Sequence, residues 1–157
     1  MEMDDSYYTR VDALLNEWSE RAVDERTLLV DLARCGVGVE HVVDSLVFSR
    51  RLPPGLVDEV LTLLNRLDGE DARFAERRVQ AYAVECRLMA GTPVSDDELE
   101  ALIGRGTFAI AETSVRLLSP SQARAFAALC ESSNAFTRRQ RHTLRTSLAA
   151  ISASRIS

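Results

Sequence analysis

Apolar residues recur at three- and four-residue steps along almost the whole chain, and no stretch alternates with period two for long enough to make a strand. The pattern predicts an all-α protein of about nine short helices. The first covers about 5–22, with Tyr8, Val11, Leu15, Trp18 and Ala22 on one stripe and Leu14 widening it. A second, about 24–35, turns Leu28, Leu29, Leu32 and Ala33 inward and stops at "GVG", where Gly36 or Gly38 can take a left-handed cap. The third, about 39–50, puts Val39, Val42, Val43, Leu46 and Val47 on one side, and "RRLPPG" then breaks it. A fourth, about 54–67, is apolar over a wide arc (Leu56, Val57, Val60, Leu61, Leu63, Leu64, Leu67), which places it at the centre of the fold. The fifth, about 71–90, is long and amphipathic, with Ala75, Val79, Tyr82, Cys86 and Met89 inward and Glu76, Arg77 and Arg78 largely outward.

Two helix starts are marked by their chemistry. In "SDDELEALI", Ser95 and Glu98 form a capping box, and Asp96 and Asp97 complement the helix dipole. In "SPSQ", Ser119 caps, Pro120 sits in the first turn where its missing N–H costs nothing, and Gln122 completes the box. These open the sixth and eighth helices. The seventh lies at about 108–118, after "GRG". The eighth buries Ala123, Phe126, Ala127 and Cys130, and the ninth runs from about 137 to 153.

Short connections make neighbouring helices antiparallel, so the chain reads as helical hairpins two–three, four–five, six–seven and eight–nine. The starts of helices two, four, six and eight fall at no fixed period. The expected architecture is a single domain over 1–157, either a compact irregular bundle or a short HEAT/TPR-like stack of hairpins.

Composition fits that picture. The apolar content is 46% and the charged content 27%, as in ordinary globular proteins. No apolar run approaches the ~20 residues that span a bilayer. The start, "MEMDDSYYTR", is acidic where an export signal would be basic, which sets the expectation of a cytoplasmic protein. Cys35, Cys86 and Cys130 are widely spaced on apolar helical faces, which reads as three reduced thiols and not as a zinc site or a disulfide framework.

Charge changes the picture more. Every basic residue is arginine and none is lysine. Residues 1–103 carry 22 Asp and Glu against 11 Arg, a net of −11. Residues 104–157 carry 8 Arg against only Glu112 and Glu131, a net of +6. Such segregation points to an interaction surface.

Candidate chemistry is sparse. His41 has Glu40 and Asp44 nearby on its helix but lacks a metal-ligand spacing, and no phosphate loop, nucleophile elbow or H-E-x-x-H motif occurs. The expectation is a non-enzyme with no catalytic residue, cofactor or metal.

The basic stretch is "NAFTRRQRHTLRTSLAAI". With Thr137 as cap and Gln140 completing its box, Leu144, Leu148 and Ile151 define the inward direction of the ninth helix. Arg138, Arg141 and Arg145 then stack on one flank of that stripe, with His142 beside them and Arg139 turned away. The ridge can pair with carboxylates of the acidic portion, with an acidic protein partner, or with nucleic acid. Asp12, Glu17, Glu20 and Asp24, on the first two helices, offer the complementary surface.

The reading that follows is a helical protein–protein interaction module, in concrete form an immunity or inhibitor protein, a secretion-type chaperone, or a phage or host regulator. Its partner-binding residues would be Arg138, Arg141, His142, Arg145, Asp12, Glu17, Glu20 and Asp24. The alternative is a nucleic-acid-binding regulator using the last helix, against which stand the net charge of −5 and the pI near 5.1. Homodimerisation through the opposed charges is a further possibility.

Overall fold

The computed structural model describes residues 13, 16–18, 20, 24–35 and 38–154. Among these residues the chain is all helix and turn, with no strand. Positions 13, 16–18 and 20 are helical and belong to α1. The stripe residues expected at 8, 11, 14, 15 and 22 lie outside the described residues. There follow α2 (Glu25–Arg34), α3 (Val39–Phe48), α4 (Val57–Asn65), α5 (Glu70–Met89), α6 (Asp96–Leu99), α7 (Phe108–Ser114), α8 (Pro120–Glu131) and α9 (Arg138–Ser154). Short 3-10 turns lead into α4 (Pro54–Leu56) and continue α6 (Glu100–Leu102) and α7 (Val115–Leu117). No helix among the described residues is long and apolar enough to cross a membrane.

The hairpin order expected from loop length is present. α2 packs on α3, α4 on α5 and α8 on α9, while α7 meets the 3-10 continuation of α6. Successive hairpins join through alternate helices: α3 touches α5, α5 touches α7, and α9 touches the 3-10 turn after α7. On the other side α2 meets α4 and α6 meets α8. One continuous core runs through all of them, from Trp18 and Leu32 through Val60, Val79 and Ile110 to Phe126 and Leu148.

The centre belongs to α5, not to α4 as the breadth of α4's apolar arc suggested. α5 contacts α3, α4, α7 and the turn after α6. It can do so because it buries Ala72, Ala75, Val79, Ala81, Tyr82 and Val84 around more than one face, and its alanines let neighbouring backbones approach. On α4 only Val57, Val60 and Leu64 are buried; Leu61, Leu63 and Leu67 are half-buried. Met89 was expected inward but is 69% exposed. Burial fades along its stripe from Tyr82 through half-buried Cys86, so the last turn of α5 runs past the core. Ala33, expected inward on α2, is exposed too.

Both marked helix starts are made as expected, with reciprocal hydrogen bonds between Ser95 and Glu98 and between Ser119 and Gln122. Gly38 adopts φ 94° as the entry to α3; Cys35 is the right-handed C-cap residue of α2, and Gly36, the other candidate for a left-handed cap, lies outside the described residues. At the end of α4, Arg73 supplies what the backbone lacks: its guanidinium donates to the carbonyls of Leu64 (2.8 Å) and Leu67 (2.7 Å).

The end of α3 shows a local rule broken for a tertiary gain. Arg50 N–H donates to Val47 O and Arg51 N–H to Leu46 O, the pairing of a Schellman cap. Its left-handed position is normally glycine, yet Arg50 holds it at φ 60°. The side chain explains the choice. Arg50 Nε lies 2.7 Å from Glu85 Oε1 and Nη2 donates to Oε2 at 3.2 Å, while Nη1 donates to Val47 O. Glu85 is 3% exposed and also accepts from Thr113 Oγ1 at 2.6 Å, so α3, α5 and α7 meet at one carboxylate. The sequence pattern gave no sign of this pair, because Glu85 sits on a face that α5's amphipathic stripe leaves polar.

Removing Arg50 leaves a buried carboxylate with Thr113 as its remaining side-chain donor, so Arg50→Ala is expected to cost about 3 kcal/mol in urea unfolding. Arg50→Gly loses the same pair but relieves the left-handed backbone, and should be about 1 kcal/mol more stable than Arg50→Ala. Equal stability of Arg50→Ala and wild type would contradict the assignment.

Candidate functional site

The ninth helix opens as its sequence indicated. Thr137 N–H donates to Gln140 Oε1 (2.9 Å) and Gln140 N–H to Thr137 Oγ1 (3.1 Å). Leu144 and Leu148 are buried and Ile151 half-buried, which fixes the rotation of the helix. Phe136, just before the cap, is buried with its ring edge-on to Phe108 at 5.8 Å, and this anchors the start of α9 against α7.

With that rotation set, Arg138, Arg139, Arg141, His142 and Arg145 line one open cleft of about 670 Å3, closed on the other side by Glu131 at the end of α8. Arg139 therefore joins the group. Looking down the helix turned it away from the ridge, but the cleft wraps around the first turn of α9, and a long arginine stem reaches it from the side.

The electrostatics of the cleft are unbalanced. The one carboxylate lining it among the described residues, Glu131, already accepts from Arg145 Nη2 at 2.5 Å. Arg138, Arg139 and Arg141 make no ion pair among the described residues. They also occupy the first turn of α9, where the unpaired backbone N–H groups carry partial positive charge and acidic residues are favoured.

The acidic residues expected to answer this ridge do other things. Asp24 caps α2, accepting from Thr27 N–H at 2.7 Å, and this hydrogen bond holds its carboxyl below the usual range. Asp31 accepts from Trp18 Nε1 at 3.0 Å. Glu17 and Glu20 are exposed on α1, and Asp12 lies outside the described residues. Among the described residues no ion pair joins α2 to α9.

Other chemistry-bearing groups are held by the fold. His41 Nε2 lies 3.7 Å from Glu40 and 4.0 Å from Asp71, and among the described residues the placement of these three could hold a cation. Asp44, which the sequence put beside His41, faces Arg78 instead, at 2.5 Å. Burial pushes its carboxyl up, with Arg78 opposing that shift. Cys86 borders an open cleft with Pro54 and Arg87, and burial pushes its thiol up. Burial likewise pushes Cys130 up to about 11. Both thiols are thus kept in the protonated, weakly nucleophilic form at neutral pH.

Fold and cleft together define an all-helical protein with a cationic surface recess at the start of its last helix. Comparison with protein-family models, with curated proteins and with solved structures finds no match to this chain.

The unbalanced first turn gives a signed expectation. Neutralising Arg138, Arg139 and Arg141 to glutamine should leave thermal stability unchanged or raise it, by ~0.3–1 kcal/mol per residue at low ionic strength, because the helix dipole is then no longer opposed. A clear fall in melting temperature would show that the three arginines are paired within the protein.

Proposed function

We propose that this protein is a helical protein–protein interaction module whose α9 cleft takes an acidic segment of a partner. The observation that carries this reading is that four arginines and His142 line one recess whose single carboxylate among the described residues, Glu131, is already engaged. Gathering like charges around the positive end of a helix costs stability unless an anion answers them. Arginine is suited to this work, since its planar fork binds a carboxylate through two N–H donors and sheds water more readily than an ammonium.

The net charge of −5 is unlike the basic balance usual in nucleic-acid-binding domains, whose long phosphate backbone would run past the acidic remainder of the chain, whereas a short acidic segment is confined to the recess. No Phe, Tyr or Trp among the described residues lines the cleft, which leaves bases only the His142 ring to stack on. Binding-only forms such as an immunity or inhibitor protein, a chaperone or a regulator fit the absence of a catalytic constellation from the sequence pattern.

The test is fluorescence anisotropy with a labelled oligo-glutamate peptide and, in parallel, a single-stranded DNA of matched charge. The peptide is expected to bind at low salt and weaken as salt rises. Arg138→Gln combined with Arg141→Gln should weaken it at least ~10-fold. Tighter, arginine-dependent binding of the DNA would replace this reading with the nucleic-acid one, and absence of binding to either would remove both.

A further inference from the structure

A second arginine group lies on another part of the surface, around Phe74 of α5. The guanidinium carbons of Arg77, Arg78 and Arg105 stand 5.9, 5.8 and 5.6 Å from the centre of that one ring. Arg78 is the fixed member. It pairs with Asp44, donates from Nε to Gly106 O at 3.3 Å, and also stacks over Phe48 at 5.7 Å.

Gly106, at φ 85°, leaves room for it: a Cβ there would stand 3.0 Å from the Arg78 guanidinium. Thr107 locks the same turn from within, donating to Leu102 O and accepting from Gly104 N–H. The turn that carries Arg105 is thus pinned against α5. Arg105 and Arg77 are held side by side, both exposed and without an ion pair among the described residues.

These two arginines line an open cleft of about 450 Å3 with Gln80, Glu100 and Gly104, and its far rim is Ala135. Ala135 belongs to the connection between α8 and α9, three residues before Arg138, which lines the other cleft. Three residues span at most ~11 Å, so a residue lining one recess lies within that backbone distance of a residue lining the other.

We propose that this second cleft is an anion subsite for the same acidic partner, and that an extended acidic segment crosses the α8–α9 connection to place carboxylates in both. The inference rests on the partner-binding reading of α9. Among the described residues, five arginines without an ion pair then line the two recesses, with Glu100 and Glu131 as the lining carboxylates. Phe74 gives its ring to the guanidinium groups, and no Phe, Tyr or Trp among the described residues lines either recess, which suits a chain of carboxylates better than a strand of bases.

The test is length dependence. Labelled oligo-glutamates of about five and about twenty residues are titrated by anisotropy, since linking two subsites raises affinity by ~10²-fold or more over one. Wild type should show that gain. Arg77→Gln with Arg105→Gln should abolish most of it, bringing the long peptide towards the short one, while an unchanged melting temperature confirms the fold.

A long-peptide affinity unaffected by this double variant overturns the subsite and leaves the α9 reading standing. An unaffected affinity in the Arg138→Gln, Arg141→Gln variant overturns the α9 reading instead. Preference for a single-stranded DNA of equal charge, lost in the same Arg77 and Arg105 variant, overturns the acidic partner.

Discussion

The buried carboxylate of Glu85 is the constraint on which the packing of the central hairpins depends. An ion so far from water must be matched by donors of fixed geometry, and Arg50 and Thr113 supply them from α3 and α7. The position of α5 between those two helices follows, and with it the register of the hairpins on either side. The cost is paid locally, in a left-handed arginine where a glycine would rest without strain. A nearby hydrogen bond, from Tyr82 Oη to Leu52 O at 2.6 Å, ties the loop after α3 to the same helix.

Arginine serves two ends in this chain, and the difference lies in what surrounds it. Arg50, Arg73 and Arg78 reach inward to carbonyls and carboxylates and act as struts between elements. Arg77 and Arg105, and Arg138, Arg139 and Arg141, stand in groups on open recesses with no such answer among the described residues. The struts position the groups: Arg78 fixes the turn that carries Arg105, one residue along α5 from Arg77. The thiols contribute no comparable chemistry, since burial holds Cys86 and Cys130 protonated.

Much of this could be read from the residues alone. The helical periods, the capping boxes at Ser95, Ser119 and Thr137, and the inward faces of α3 and α9 all follow from side-chain spacing and local hydrogen bonding, which a short stretch of chain contains. The ridge of Arg138, Arg141 and Arg145 was legible for the same reason. Arg139's place in the cleft was not, because a recess is shaped by α8 as well as α9. The Phe74 group escaped notice altogether: its members lie in α5 and in the "GRG" turn, and only a sequence signal for the contact between them could have joined them.

What the sequence determined by itself was therefore of short range: an all-helical chain, its marked helix starts, its segregated charge and the buried stripes of α3 and α9. The tertiary structure decided which helix stands at the centre, which carboxylate is buried, and which arginines share a recess. The physical reason is range. Periodicity and capping act over one or two turns, whereas the ion pair of Arg50 with Glu85 and the guanidinium cluster on Phe74 join residues far apart in sequence, through packing that no local pattern encodes.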